Sequence, residues 1–243
     1  RNIESSGSDE KRMKFGVVSV QGANCEHDCY YAIESVLGKP VEYSWHQDTS
    51  VKGFDAVILP GGFAYGDYLR TGALAKFSPV MNAIADFAKK GGLVFGICNG
   101  FQILAEAGLL PGALLRNAGM KYLCKFEYLR TETTDTPYTN LLKKGQLLRI
   151  PIGHGEGNFF ADAGTLKRIE DNGQVVFRYA DSRGQITPEA NPNGSLNNIA
   201  GIVNEQHNVL GMMPHPDRSS EEMLGSADGR LIFESMVNAL VMK

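Results

Sequence analysis

A chain of 243 residues with a net charge of −3, from 24 Lys and Arg against 27 Asp and Glu, has room for one large domain and carries no basic stripe on which a nucleic acid could settle. Its hydrophobic content of 43% beside 21% charge is that of a globular protein with a core, and no apolar run approaches the ~20 residues that a membrane span needs. Four cysteines, Cys25, Cys29, Cys98 and Cys124, are too few and too scattered for a disulfide framework.

Residues 1–12 are polar and aperiodic and stop before Met13, which resembles a native start. They read as a leader or tag remnant, with residues 13–243 as a single domain. No charged segment followed by an apolar one opens the chain, so the expected compartment is the cytoplasm.

Lys14 to Val20 is a short apolar strand, and Asn24 is placed to cap a helix from Cys25 to Leu37 that Gly38 ends. Val41 to Trp45 alternates like a second strand, and Ala56 to Leu59 is a continuous apolar third. Ser78-Pro79 opens a helix that Gly91-Gly92 closes. Leu93 to Ile97 is a fourth buried strand, followed by a helix from Asn99 to Ala107 that Gly108 stops. Apolar strands alternating with helices predict an α/β three-layer sandwich, a flavodoxin-like, mostly parallel open sheet with helices on both faces.

The second half reads as strands at Lys121 to Arg130, Leu147 to Ile152, Val175 to Tyr179, Ile199 to Val203 and Val209 to Met213. These predict antiparallel additions and a return to the main sheet, with Cys124 in the core. Asn193-Gly194-Ser195 sits in a turn, and a last amphipathic helix from Gly229 to Met242 turns Leu231, Phe233, Met236, Val237 and Leu240 inward.

The chemistry-bearing segment is Gly96-Ile97-Cys98-Asn99-Gly100 at the junction of the fourth strand and its helix. A nucleophile on so sharp a turn needs small neighbours two residues away on either side, and the helix N-terminus favours negative sulfur. Alone, the pattern also fits an inert buried cysteine; the flanking strand and helix decide for the nucleophile. Such a thiolate needs a base and a place for the oxyanion. His215 leaves an apolar strand between Pro214 and Pro216, which predict extended backbone and so put Asp217 on the same side, within reach of Nδ1. Gly61 and Gly62 follow the third strand and can turn backbone N–H groups into the crevice, together with the amide of Asn99. Cys25 and Cys29 would share a helix face, but no second Cys or His pair completes a zinc set, so no metal is expected.

Together, Gly96 to Gln102, the Pro60-Gly61-Gly62 loop and the late His-Pro-acid resemble the class I (triad) glutamine amidotransferase domain. Four longer stretches are narrower: Pro60 to Arg70, Ile152 to Gly157, Gly211 to Pro216 and Leu224 to Gly229. They are similar to the family of glutaminase subunits of phosphoribosylformylglycinamidine synthase, in purine biosynthesis. The resemblance implies Cys98 as nucleophile, His215 as base and acid, and Asp217 as the triad acid where the family usually has glutamate. It further implies Gly62 and Phe63, with the Asn99 amide, as the oxyanion hole, and Gln102 as a contact of the glutamine. Asp67 and Arg70, following the oxyanion loop, and His154 with Glu156 are candidates for the pocket or a partner interface.

Glutamine is the implied substrate, and a large synthetase subunit and a small bridging subunit the implied partners. The chain contains neither G-x-x-x-x-G-K-[ST] nor a strand followed by G-x-G-x-x-G, so no cofactor is expected on it, and ATP and magnesium belong to the synthetase. Two alternatives remain: an amidotransferase of another pathway, or a non-catalytic module of the same fold, which would lack a triad member. Cysteine hydrolases with histidine directly after the elbow cysteine do not match, since Asn99 stands there.

Overall fold

The computed structural model describes residues 13–242, so the leader expected at 1–12 lies outside the described residues. The first half alternates as expected: β1 (Phe15–Ser19), α1 (Glu26–Tyr31), β2 (Val41–Trp45), β3 (Ala56–Leu59), α2 (Pro79–Lys89), β4 (Leu93–Ile97) and α3 (Asn99–Glu106). Then follow β5 (Ala113–Leu115), β6 (Leu123–Thr131), β7 (Leu147–His154), β8 (Asn158–Phe160), α4 (Ala163–Asp171), β9 (Val175–Ala180), β10 (Ile199–Val203), β11 (Val209–Met212) and α5 (Arg230–Val241).

Nine of these strands form one sheet in the order β2-β1-β3-β4-β11-β10-β9-β6-β7. From β2 to β11 every pairing is parallel; from β11 to β7 every pairing is antiparallel. Every residue of β3, β4, β10 and β11 is buried, so both faces of the middle of the sheet are covered. No helix among the described residues is long and apolar enough to cross a membrane.

Local chemistry departs from expectation in several places. The first helix begins after Cys25 with no side-chain cap, because the Asn24 Oδ1 that was to cap it instead accepts from the Cys25 thiol at 3.2 Å. It continues from Ala32 to Val36 as a π-turn rather than a plain α-helix. Ser78 does stand at the N-cap of α2, but its hydroxyl bonds Tyr65 at 3.1 Å rather than a helix amide. Cys124 is exposed on β6, not in the core, because the start of β6 is solvated: Cys124 and its neighbour Lys125 are both exposed, and the strand becomes buried only at Leu129. In α5 the fully buried positions are Ile232, Phe233, Ser235 and Met236, while Leu231 and Leu240 are only partly covered.

Candidate active site

β4 delivers Cys98 to its position. The chain leaves Ile97, folds Cys98 into φ 50°, ψ −105° and enters α3 at Asn99. That backbone conformation is strained for a residue with a Cβ and persists only where its surroundings enforce it. The glycines two residues either side do so. A Cβ on Gly96 would lie 2.5 Å from Leu104 Cδ1 and 2.7 Å from the Gly100 carbonyl carbon, and one on Gly100 would lie 2.0 Å from the Leu59 carbonyl oxygen. Helix α3 is thus pressed against the ends of β3 and β4, and the thiol is fixed at its N-terminus.

β11 brings the histidine. It lies beside β4 with Met212 opposite Ile97, and the Cys98 amide donates to the Met212 carbonyl at 2.8 Å. The chain then passes Met213 and Pro214 to His215, whose amide is held by the Pro151 carbonyl at 2.8 Å. His215 and Asp217 are both buried. The segment after His215 is not extended: Pro216–Arg218 form a 3₁₀ turn, because the proline at its first position favours helical φ and the Arg218 amide closes on the His215 carbonyl. The carboxylate still comes round to the imidazole, with Asp217 Oδ1 3.4 Å from Nδ1. That is longer than a good hydrogen bond, and Nδ1 and both Asp217 oxygens are buried without a hydrogen-bond partner.

Burial opposes charge on His215, but the facing negative charges of Asp217 and Cys98 outweigh it and hold the imidazole well above its usual pKa. Asp217→Asn is therefore expected to lower kcat for glutamine hydrolysis by about 10²-fold or more, while Asp217→Glu, one methylene longer, retains or raises it. Equal steady-state rates for all three proteins would remove Asp217 from the triad.

The glycine loop after β3 meets these two ends. A Cβ on Gly61 would lie 2.6 Å from His215 Cε1, 3.1 Å from Cys25 Sγ and 3.4 Å from Cys98 Cβ, so only glycine lets the three side chains converge. Gly62 adopts φ 150° in an isolated bridge to Ala23, which leaves its own N–H without a partner among the described residues. Phe63 departs from expectation. Its amide donates to the Gly22 carbonyl at 2.8 Å and is not available to an oxyanion in this conformation, because the same bridge spends it.

Sequence spacing gave no sign of Cys25 and Arg218 at this corner. The Cys25 thiol is buried beside His215, and Arg218 Nη2 donates to its sulfur at 3.0 Å while Nε donates to Asp28 at 2.9 Å. Burial pushes the Cys25 thiol up. The ligand atoms of Cys25, His215 and Asp217 lie within 4.8 Å of one another, a spacing that could hold a metal ion. The Arg218 guanidinium already supplies positive charge there, so the residues present fit an ion pair better than a cation.

The cleft beside Cys98 has a volume of about 190 Å³ and is lined by Gly62, Phe63, Asp67, Thr71, Gln102, Tyr122, Gly153, His154, Gly155 and Glu156. A larger hollow of about 530 Å³ lies against Gly108–Gly112 and Arg168, away from the triad. Gln102 is locked by Asn99, whose Nδ2 donates to its Oε1 at 2.8 Å, and by the Glu156 carbonyl, which accepts from its Nε2 at 2.5 Å. Asn99 Oδ1 in turn accepts from the Ala64 amide at 3.0 Å, which ties the glycine loop to the elbow. The thiol of Cys98 points at the Gly153 carbonyl, 3.6 Å away. Arg70 is not in the cleft wall: both its Nε and Nη2 donate to Glu106 on α3.

His154 is buried, and desolvation pushes its pKa down to about 4. A histidine lowered on folding stabilises the protein fully above its unfolded pKa of about 6.5 and loses that contribution as pH falls toward 4. Asp67, raised to about 6 by burial and by the charge of Glu156, titrates with the opposite sign and offsets part of the loss. The comparison is therefore between wild type and His154→Gln. Across that window denaturant unfolding of wild type is expected to lose about 3 kcal/mol more than the variant; parallel curves would place no such histidine in the core.

Residues 12–231 match the CobB/CobQ-like glutamine amidotransferase domain family. The chain is 58% identical to phosphoribosylformylglycinamidine synthase subunit PurQ of Moorella thermoacetica, over 93% of this chain and 96% of that protein. It is 61% identical to the subunit of the same name from Koribacter versatilis, over 94% and 99%. Among solved structures, a chain of PurLQS from Thermotoga maritima superposes with a TM-score of 0.83 at 42% identity, covering 94% of this chain and 99% of that one. With the elbow, the facing histidine and the glycine loop in place, the chain belongs to the glutamine amidotransferase family, and within it to the phosphoribosylformylglycinamidine synthase subunit PurQ family.

Proposed function

We propose that this chain, as one amidotransferase domain over residues 13–243, is the glutaminase subunit of phosphoribosylformylglycinamidine synthase. It hydrolyses L-glutamine to glutamate and ammonia and passes the ammonia to a synthetase subunit, as the PurLQS assembly of its structural relative supports. Cys98 attacks the side-chain amide carbon as the thiolate, its proton held on His215, whose pKa the facing negative charges raise. Negative charge then develops on the amide oxygen, where the uncommitted Gly62 N–H and the Asn99 N–H at the start of α3 receive it. His215 returns the proton to the departing nitrogen, ammonia leaves, and a γ-glutamyl thioester remains. Water attacks the thioester with His215 as base, which frees glutamate and the thiol.

The observation that carries the reading is the strained Cys98 backbone at the N-terminus of α3, level with the end of the strand that brings His215. ATP and magnesium act on the synthetase, and a small bridging subunit completes the complex; this chain holds no cofactor of its own in the proposed reaction. The compartment is the cytoplasm. The test is a glutamine-analogue electrophile applied to the assembled complex. Wild type is labelled at Cys98, Cys98→Ser is not, and absence of labelling in wild type would overturn the assignment.

A further inference from the structure

A free amino acid differs from the glutamine side chains of other proteins by its α-ammonium and α-carboxylate. An enzyme that hydrolyses only the free form must read one or both. The cleft beside Cys98 is lined by two carboxylates, Asp67 and Glu156, and by no lysine or arginine. Resting on the glutaminase reading of this same cleft, we propose that Asp67 and Glu156 are its specificity-determining residues and hold the α-ammonium of glutamine while the side-chain amide reaches Cys98.

Both carboxylates are held in place yet under-used. Asp67 has φ 53°, an uncommon backbone for a non-glycine residue, and its Oδ1 accepts one long bond at 3.4 Å from Asn99 Nδ2. Glu156 accepts from Thr71 at 3.2 Å and faces Arg116 only at 4.0 Å. Partial burial, with the repulsion from Glu156 added to it, raises Asp67 to about 6, and a cation between the two carboxylates removes the repulsion.

A second observation says that the cleft awaits donors. Asn117 Oδ1 accepts from the Gly157 amide at 3.0 Å, while its Nδ2 donates to the carbonyls of Lys121 and His154 at 2.8 and 2.9 Å. The amide is therefore oriented, and the oxygen, 3.1 Å from His154 Nδ1, requires Nδ1 to carry the hydrogen. His154 is neutral, so its Nε2 is a bare acceptor, buried without a partner on a residue that lines the cleft. A buried acceptor left bare is unfavourable until a ligand N–H reaches it.

The ligand atoms of Asp67, His154 and Glu156 are not gathered within 4.8 Å of one another, as those of Cys25, His215 and Asp217 are. An ammonium with separate N–H bonds, beside an amide with its own, suits that spread better than one metal ion.

The test compares L-glutamine with glutaramate, the same molecule without its α-amino group, in the complex assembled with the synthetase subunits. Asp67→Asn and Glu156→Gln are each expected to raise KM for glutamine ~10- to 100-fold, the worth of a charge-assisted hydrogen bond. The effect on kcat is small, and the preference for glutamine over glutaramate falls by the same factor. The rate of Cys98 alkylation by neutral iodoacetamide reports that the elbow of each variant is intact. An unchanged preference in variants that alkylate normally overturns this proposal and leaves the glutaminase reading standing. Failure of wild type to release ammonia from glutamine overturns both.

Discussion

Cys98→Ser is expected to lower glutamine hydrolysis by the assembled synthase about 10⁴-fold or more, with ammonia-dependent amidination by the same complex left intact. The size follows from the geometry. The side chain at 98 sits at a helix N-terminus on a backbone that no ordinary turn imposes, and the machinery around it is built for a sulfur anion. A serine hydroxyl keeps the position but ionises far less readily, so the proton that sulfur gives up to His215 stays on the oxygen. Ammonia-dependent turnover separates this loss from a loss of assembly. If Cys98→Ser kept even a tenth of the glutamine-dependent rate, the nucleophile would have to be sought elsewhere.

Gly100→Ala is expected to damage the fold as much as the chemistry. Its Cβ would stand 2.0 Å from a backbone oxygen, that of Leu59, and 2.9 Å from the Leu59 Cβ. A flexible side chain could turn away, but Leu59 ends β3, which is buried throughout and paired on both sides by β1 and β4. Helix α3 must therefore shift, and Cys98 with it. Overpacking of this kind costs about 3 kcal/mol, which lowers Tm by about 6–12 °C in a chain of this size. Gly108→Ala, at φ 70° with no atom within 4 Å of its Cβ, carries backbone strain alone and is expected to cost ~1 kcal/mol. Equal melting temperatures for the two variants would refute the crowding argument.

The parallel half of the sheet was legible in the sequence because β3 and β4 are unbroken apolar runs punctuated by glycines. The helix Ala163–Asp171 was not, since Ile169 is its single buried residue and, beside it, only Ala163 and the partly buried Leu166 are apolar; the signal it did carry is Asp162, whose side chain accepts from the Thr165 amide. The three-residue strands β5 and β8 are too short to show a period. Cys98, His215, Gly61 and Gly62 could be named in advance because each lies at a strand end, where topology gathers them. Cys25 and Arg218 could not, because nothing in their spacing relates position 25 to position 218 until the helix and the 3₁₀ turn are packed together. The Phe63 amide fell to a pairing with Gly22 that only the folded backbone discloses.

The place of β11 in the sheet has a consequence for the assembly of the site. It is the last strand made, yet it lies in the middle, and it alone joins the β2-β1-β3-β4 block to the β10-β9-β6-β7 block. In sequence the imidazole follows the Cys98 thiol by 117 positions (215 − 98), and it stands beside that thiol only because the final strand lies between the two blocks. In the proposed mechanism, a form short of that insertion has the Cys98 thiol without the His215 imidazole beside it. Glutamine hydrolysis, which needs both groups, is therefore expected to depend on the seating of β11 between the two blocks.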